Sequence, residues 1–594
     1  MIFKKHLSYL DNFTVDVDVY GNSGKKIGKG KLTIKDNFQP KVSLTNLIHK
    51  IDNGSSAYFT CKTDNQTYQL IDCQIHHDLI FPKFIIKGSQ KRLKFKKFDL
   101  LLQGVTQWFN LGNHTIIDKD KVTITRKTDL FNVDIQHNEI TFNLSNEYWC
   151  DQENISQNST KINEYTALTI SSRNKTFSIE DLTSLVNQIR IFFTLLIGHP
   201  IGIIYILDQT SKHKAQSIYF SNHSKKSYAN LKPIDCFVNS KSLFIANKWP
   251  DILKGFFNQN NDKVYRKLWG RIAGLLAYEG FWEYEILAYV SLLDRYVTID
   301  TENTKLSLSE NQFIKFNREA RRTLNAIECP PTLEPDKFNK VIESMCIQIR
   351  DGVQNSSIPS FGEKFNLRLK KTNPEIIKVL NLDKSEFKHI KLLRNQIAHG
   401  DEPKTINTED LNYESRIKNK IALLLRYWVF MRIGFSNTDF LNYLNNWCYP
   451  ITRNAEIDQQ ELDIALGKHH FLETNITNFK KAKKLQSKWL VLKFIKSSKT
   501  FQVDTQATNQ LNKSRLNMKR SKSKSILEEL TKVVDTTKIK NAMYLTSVYI
   551  KHNDQQFKTY SVYILNCPEY IYKDNTNSYN FKKFDSITSS WISL

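Results

Sequence analysis

Between residues 13 and 36 the chain reads FTVDVDVYGNSGKKIGKGKLTIKD, and its apolar positions alternate. Val15, Val17 and Val19 fall on one side of an extended chain and Thr14, Asp16 and Asp18 on the other, the period of a half-buried strand. A Gly-rich turn then leads into a second short strand, so the pair predicts a hairpin. The glycines and lysines there invite a phosphate-loop reading, but the G-x-x-x-x-G-K-[ST] spacing is missing and Leu32 follows Lys31. KVTITRKTDLFNVDI and HNEITFNLSNEYW continue the alternation. Residues 1 to about 170 therefore predict a sandwich or barrel-like sheet.

The period becomes helical in SIEDLTSLVNQIRIFFTLLIG (178–198), where Glu180 and Asp181 suit the positive end of a helix. The most apolar stretch, IFFTLLIGHPIGIIYIL (191–207), is broken by Gly-His-Pro. That predicts a helix end followed by a buried strand rather than a membrane span. From about 250 to 450 the pattern is mostly helical. YRKLWGRIAGLLAYEGFWEYEILAYVSLLDRYV is apolar on more than one side and predicts a central bundle helix or pair of helices. Further helices follow in ENQFIKFNREARRTLNAI and EPDKFNKVIESMCIQIRDGV, parted by the prolines of ECPPTLEP.

After about 455 the character changes again. Fourteen Lys or Arg face one acid, Asp504, between 480 and 525, and KSRLNMKRSKSKS predicts a solvated stretch that could equally tether RNA. AMYLTSVYIKH and KTYSVYILNCPEYIY read as strands of a small domain. The chain is too long for one core. The expected fold class is α+β and multidomain: a β-rich N-terminal domain (1–245), an all-α helical bundle (246–455) and a small basic α/β C-terminal extension (456–594).

The net charge of +25 favours a polyanionic partner, nucleic acid or an anionic membrane surface. A membrane-surface protein needs an amphipathic helix with a basic polar face outside a bundle, and none stands out. The eight cysteines include no C-x-x-C, so neither a zinc knuckle nor a disulfide framework is expected. The start, MIFKKHLSYLDNF, has no signal-peptide pattern, and a cytoplasmic protein is the expectation.

Chemistry concentrates in HIKLLRNQIAHGDE (389–402). Asp383 is a good N-cap with Glu386 three residues on, the pattern of a capping box, and Gly400 is a good residue to follow the helix. Phe387, Ile390, Leu393 and Ile397 form its apolar stripe. Asn395 and His399 stack one turn apart on the other side, and Arg394 lies roughly 140° round from His399. Histidine serves as acid or base near neutrality, arginine stays charged and grips phosphate, and asparagine holds either without titrating. Such a set can cleave RNA without a metal or cofactor: a base takes the 2′-OH proton, an acid protonates the leaving 5′-oxygen, and a fixed cation meets the charge on phosphorus. One histidine per chain is awkward for two proton transfers, so the chemistry suggests a homodimer or a higher homo-oligomer. Among 19 Arg and 14 His, an Arg-x4-His spacing is expected by chance about 0.45 times, and this is its one occurrence.

Other candidates weigh less. His76-His77-Asp78 lacks partners at ligand spacing and suits a polar strand or loop. His469–His470 suits a helix end. KGSQKRLKFKK (87–97) suits a solvated strand face before a nucleic-acid contact, and Trp489 suits core packing before base stacking.

RNQIAHG (394–400) resembles the R-[NHD]-x-x-x-H motif of HEPN ribonucleases, all-α domains that usually dimerise to make a metal-independent RNA-cleaving site. The β-rich N-terminal half, then IRIFFTLLIGHPIGIIYIL, then the helix with AYVSLLDRYV, resembles the ApeA family of bacterial anti-phage proteins, over roughly residues 10–450. The resemblance implies that the bundle is HEPN-like, that Arg394 and His399 cleave RNA with Asn395 in support, and that the N-terminal domain senses a phage-derived trigger. Transfer RNA is the substrate guess, with abortive infection the outcome. The alternative is a non-catalytic HEPN-like module that binds nucleic acid or protein, with His399 a helix-end histidine. Residues after about 455 exceed what such a domain needs.

Overall fold

The computed structural model describes residues 6–10, 12–35, 38–48, 54–88, 93–109, 115–118, 121–124, 131–137, 139–156, 159–209, 215–221, 231–260, 263–300, 310–356, 360–399, 408–467, 471–498, 500–518, 534, 541–566 and 582–583, some by backbone alone. Residues 1–457 and 458–594 form two compact units.

In the first unit, alternation becomes a closed barrel. Its strands are β1 (Phe13–Tyr20), β2 (Lys26–Ile34), β3 (Lys41–Leu47), β4 (Gly54–Lys62), β5 (Thr67–His76) and β6 (Leu79–Lys87). They run antiparallel in the order β6-β3-β2-β1-β4-β5, and β5 pairs with β6 to close the ring. Val17 and Val19 of β1 enter a shared core with Leu32, Val42, Leu70 and Ile85, while Thr14 and Asp16 are exposed. The Gly-rich segment is the β1–β2 turn: Gly21 N donates to Lys25 O at 2.9 Å, and Gly24 sits at φ +76°. Within β2, a Cβ on Gly28 would stand 2.1 Å from the Asn46 carbonyl oxygen, and the register shifts between Lys29 and Gly30. Glycine and a bulge together let the strand bend round a small barrel. His76 and His77 end β5 and start the turn into β6.

The sheet continues beyond the barrel. Next along the chain are the two-residue β7 (Lys94–Phe95), β8 (Lys97–Leu102), the single turn α1 (Val105–Trp108), the hairpin of β9 (Thr115–Asp118) and β10 (Lys121–Ile124), and then β11 (Asn132–His137), β12 (Ile140–Ser156) and β13 (Ser159–Ser172). In KGSQKRLKFKK, residues 89–92 lie outside the described residues; Lys94 and Lys96 are exposed around the buried Phe95. After β14 (Phe177–Ser178), which pairs with β7, comes α2 (Ile179–Ile197). Ser178 Oγ accepts from Asp181 N, and the Asp181 carboxylate accepts from Ser178 N, a complete capping box. Gly198 ends the helix at φ +82°. Then β15 (Ile203–Asp208) and β16 (Gln216–Phe220) return to the sheet and bridge β8 to β6, giving the order β11-β12-β13-β8-β15-β16-β6.

The helical part comprises α3 (Ser240–Ile245), α4 (Trp249–Asn260), α5 (Lys263–Leu275), α6 (Trp282–Asp300), α7 (Glu310–Asn325), α8 (Pro335–Ser356), α9 (Phe361–Lys370), α10 (Pro374–Leu380), α11 (Lys384–His399), α12 (Thr408–Ile433), α13 (Asn437–Leu444) and α14 (Pro450–Asn454). The apolar 265–297 stretch is thus two helices, α5 and α6. Aromatic rings tie helices to sheet: the Trp108 and Trp249 centroids lie 5.5 Å apart, Phe192 and Phe256 4.9 Å, and the Trp108 indole donates to Val238 O at 2.8 Å. The central helix is α12, buried over most of Ile417–Phe430 and packed against α4, α6 and α14.

The second unit holds α15 (Gln459–Ala465), β17 (Phe471–Glu473), α16 (Ile476–Lys484), β18 (Leu490–Ile495), β19 (Thr500–Val503), α17 (Thr505–Met518), β20 (Asn541–His552) and β21 (Gln555–Leu565). Its sheet has the order β17-β20-β21-β18-β19, parallel at β17/β20 and β18/β21. Leu490, Leu492, Val548, Ile550, Val562 and Ile564 fill its core. His469–His470 and residues 519–525 of the basic stretch lie outside the described residues. The whole is α+β: a β-rich N-terminal region, a helical region and a small α/β sheet. Among the described residues no helix is long and apolar enough to cross a membrane.

Candidate active site

Local chemistry fixes where α11 begins. Asn373 caps α10, accepting from the backbone N–H groups of Glu375 and Ile376, and Asn381 closes that helix at φ +46°. Two residues later Asp383 takes over. Its Oδ1 accepts from Glu386 N and from Ser385 Oγ, both at 2.7 Å. The Glu386 N–H bond, then the Ser385 bond, hold the Asp383 carboxyl below the usual carboxylate range.

The second half of the expected capping box is corrected by the structure. The Glu386 carboxylate turns to α12, where Lys420 Nζ lies 2.8 and 2.9 Å from its two oxygens and Arg416 lies at 3.4 Å. Lys420 Nζ also donates to Asn381 O at 2.7 Å. A buried carboxylate with a cation in reach gains more from that charge than from a backbone N–H. One lysine thereby joins the end of α10, the start of α11 and the middle of α12. Further along α11, His389 Nε2 stands 3.4 Å from the buried Glu414, and its ring packs edge-on to Tyr413 at 5.1 Å. The sequence carried a signal for this network: Lys420 and Arg426 flank the apolar run Ile421–Leu425 of α12.

The apolar stripe is partly as expected. Ile390 is fully buried. Phe387 is half-buried and stacks on Phe365 with centroids 4.2 Å apart and planes within 3°. The side chains of Leu393 and Ile397, and Gly400, lie outside the described residues.

Arg394, Asn395 and His399 occupy the final turns of α11, and His399 is its last residue. Asn395 is half-buried; the side chains of Arg394 and His399 lie outside the described residues. Packing steadies the elements beneath. Lys418 of α12 bonds Glu285 of α6 at 2.9 Å, Trp428 Nε1 donates to Thr372 Oγ1 at 3.0 Å, and Arg426 donates to Tyr449 OH at 2.6 Å. Tyr449 OH in turn donates to Gly198 O at 3.0 Å, which anchors the helical region on the end of α2. Among the described residues no group of three His, Cys, Asp or Glu could hold a metal ion.

Residues 20–253 match a model described as ApeA N-terminal domain 1, and residues 287–439 match one described as Apea-like HEPN. The second match contains α11 and the Arg-Asn-x-x-x-His spacing. The molecule is thus a β-rich domain followed by a HEPN-type helical domain. The chain belongs to the ApeA family. That assignment points to a ribonuclease-type function of the anti-phage kind. No curated protein and no solved structure matches the chain.

Proposed function

We propose that the protein is an endoribonuclease of the HEPN type acting in anti-phage defence, with Arg394, Asn395 and His399 as its reaction site. The observation that carries the reading is their place: all three lie in the last turns of α11, inside the HEPN match. In this mechanism His399 of one copy takes the ribose 2′-OH proton, and the 2′-oxygen attacks the adjacent phosphorus. His399 of a second copy protonates the leaving 5′-oxygen, so the products are a 2′,3′-cyclic phosphate and a free 5′-OH. Arg394 meets the charge on the pentacoordinate phosphorus through its fork, and Asn395 orients the imidazole or a phosphate oxygen. The donor set supplies its own cation and proton carriers and calls on no metal.

Transfer RNA is the proposed substrate, since a toxic effector gains most from a scarce, essential, structured RNA. The three-part division at about 245 and 455 is part of the proposal: the N-terminal domain holds the enzyme inactive in the cytoplasm until a phage-derived trigger arrives. The test is cleavage of total cellular RNA in EDTA by the purified protein beside His399→Ala, with and without lysate from infected cells. Discrete products with cyclic phosphate ends from the unsubstituted protein alone support the reading. Equal cleavage by both proteins moves the site elsewhere, and intact RNA from both, trigger included, leaves a binding module.

A further inference from the structure

In the second unit, α16 turns Asn478, Phe479 and Ala482 into the core. Its remaining arc is mostly lysine, with Ile476 and Thr477 exposed in the first turn. At about 100° per residue, Lys483, Lys480, Lys484 and Lys481 follow one another round the side opposite the core, and all four are exposed. Among the described residues none of them makes an ion pair. The single acid between 480 and 525, Asp504, is already engaged: Lys493 Nζ lies 2.6 Å from one oxygen, and the other caps α17 by accepting from Ala507 N at 3.0 Å. In the loop after the helix Lys488 is exposed and donates to Asn509 of α17 at 3.2 Å. Trp489 is half-buried and turns to the other face of the sheet, its ring centroid 6.4 Å from that of Tyr563. Residues 458–594 hold 23 Lys and Arg against 12 Asp and Glu, so the α16 face is not balanced from elsewhere in the unit.

Four like charges round one helix repel one another, and a lysine-rich arc is favourable when a polyanion or its counterions lie along it. We infer that the lysine face of α16 is a binding surface for the RNA sugar-phosphate backbone. The lysines neutralise phosphates and release their counterions. An anionic bilayer shares the charge but asks for several apolar residues among the cations, and this arc carries one, Ile476. The choice of RNA rests on the ribonuclease reading above; the charge pattern does not.

The experiment titrates full-length protein carrying His399→Ala, which keeps RNA intact, against fluorescent bulk tRNA in EDTA across a series of salt concentrations. Replacing Lys480, Lys481, Lys483 and Lys484 by Gln is expected to weaken binding at least about tenfold and to lower the slope of log affinity on log salt by about 3. Arginine at the same four positions keeps the affinity, which separates charge from folding. Removing equal charge from α7 (Lys315, Arg318, Arg321 and Arg322 to Gln), exposed positions in the other unit, leaves the slope near its starting value. Unchanged affinity in the α16 variant overturns the inference. So does an equal loss in the α7 variant, or loss confined to phosphatidylserine vesicles with tRNA binding intact. Binding is read without cleavage, so a protein that binds through these lysines but leaves RNA whole sinks only the ribonuclease reading.

Discussion

Lys420 and Glu386 face each other across α12 and α11 with Nζ 2.8 and 2.9 Å from the two carboxylate oxygens, and both side chains are almost wholly buried. This pair sets how the helix bearing Arg394, Asn395 and His399 lies against the central helix of the bundle.

Removing one partner leaves the other charged in a dry setting. Lys420→Met and Glu386→Gln are each expected to cost about 3–5 kcal/mol, and the double variant much less than their sum. Chemical denaturation followed by tryptophan fluorescence measures this; additive losses would show that the two groups are not coupled.

His399→Ala is expected to lower RNA cleavage by about 10²–10⁴-fold, the range of a lost general acid or base. Arg394→Lys keeps the charge but loses the planar fork, and it too should lower turnover. Neither should move the unfolding midpoint, because both positions lie at a helix end. A midpoint drop matching the activity loss would reassign both residues to structure.

Gly198 combines φ +82° with a close neighbour: a Cβ there would stand 2.6 Å from the Tyr449 ring. Gly198→Ala is expected to destabilise by more than about 1 kcal/mol, since neither the backbone nor the buried ring can give way cheaply. Thermal unfolding of the two proteins side by side decides it, and an unchanged midpoint would mean that the α2 end and Tyr449 are not packed as described.

Asp99 sits in β8 with its carboxylate accepting from Thr169 Oγ1 at 2.7 Å. Burial, only partly offset by that bond, pushes its pKa up to about 6. In the unfolded chain the group titrates near 4. Between those values the folded protein holds a proton that the unfolded chain has released, so this group's contribution to stability rises as pH falls from about 7 to about 4. Asp99→Asn removes the proton linkage. The stability difference between variant and parent should therefore shrink on acidification, and a difference constant from pH 7 to 5 would place the pKa elsewhere.

What was legible in the sequence is what period and capping encode. Val15, Val17 and Val19 predict β1, the Gly-His-Pro break predicts the end of α2, and Asp383 predicts the start of α11, since each depends on neighbours within a few residues. The Arg-Asn-x-x-x-His spacing at 394–399 was equally local, and the family it resembles is the family to which the chain belongs. Tertiary structure alone decided who pairs with whom. Alternation tells a strand which face to bury but not its neighbour, so neither the closure of β5 on β6 nor the return of β15 and β16 between β8 and β6 could be read from the residues. The same holds for Glu386. Sequence offers it a backbone N–H three residues away, and only packing brings Lys420, 34 positions downstream, close enough for a full charge to outcompete that bond.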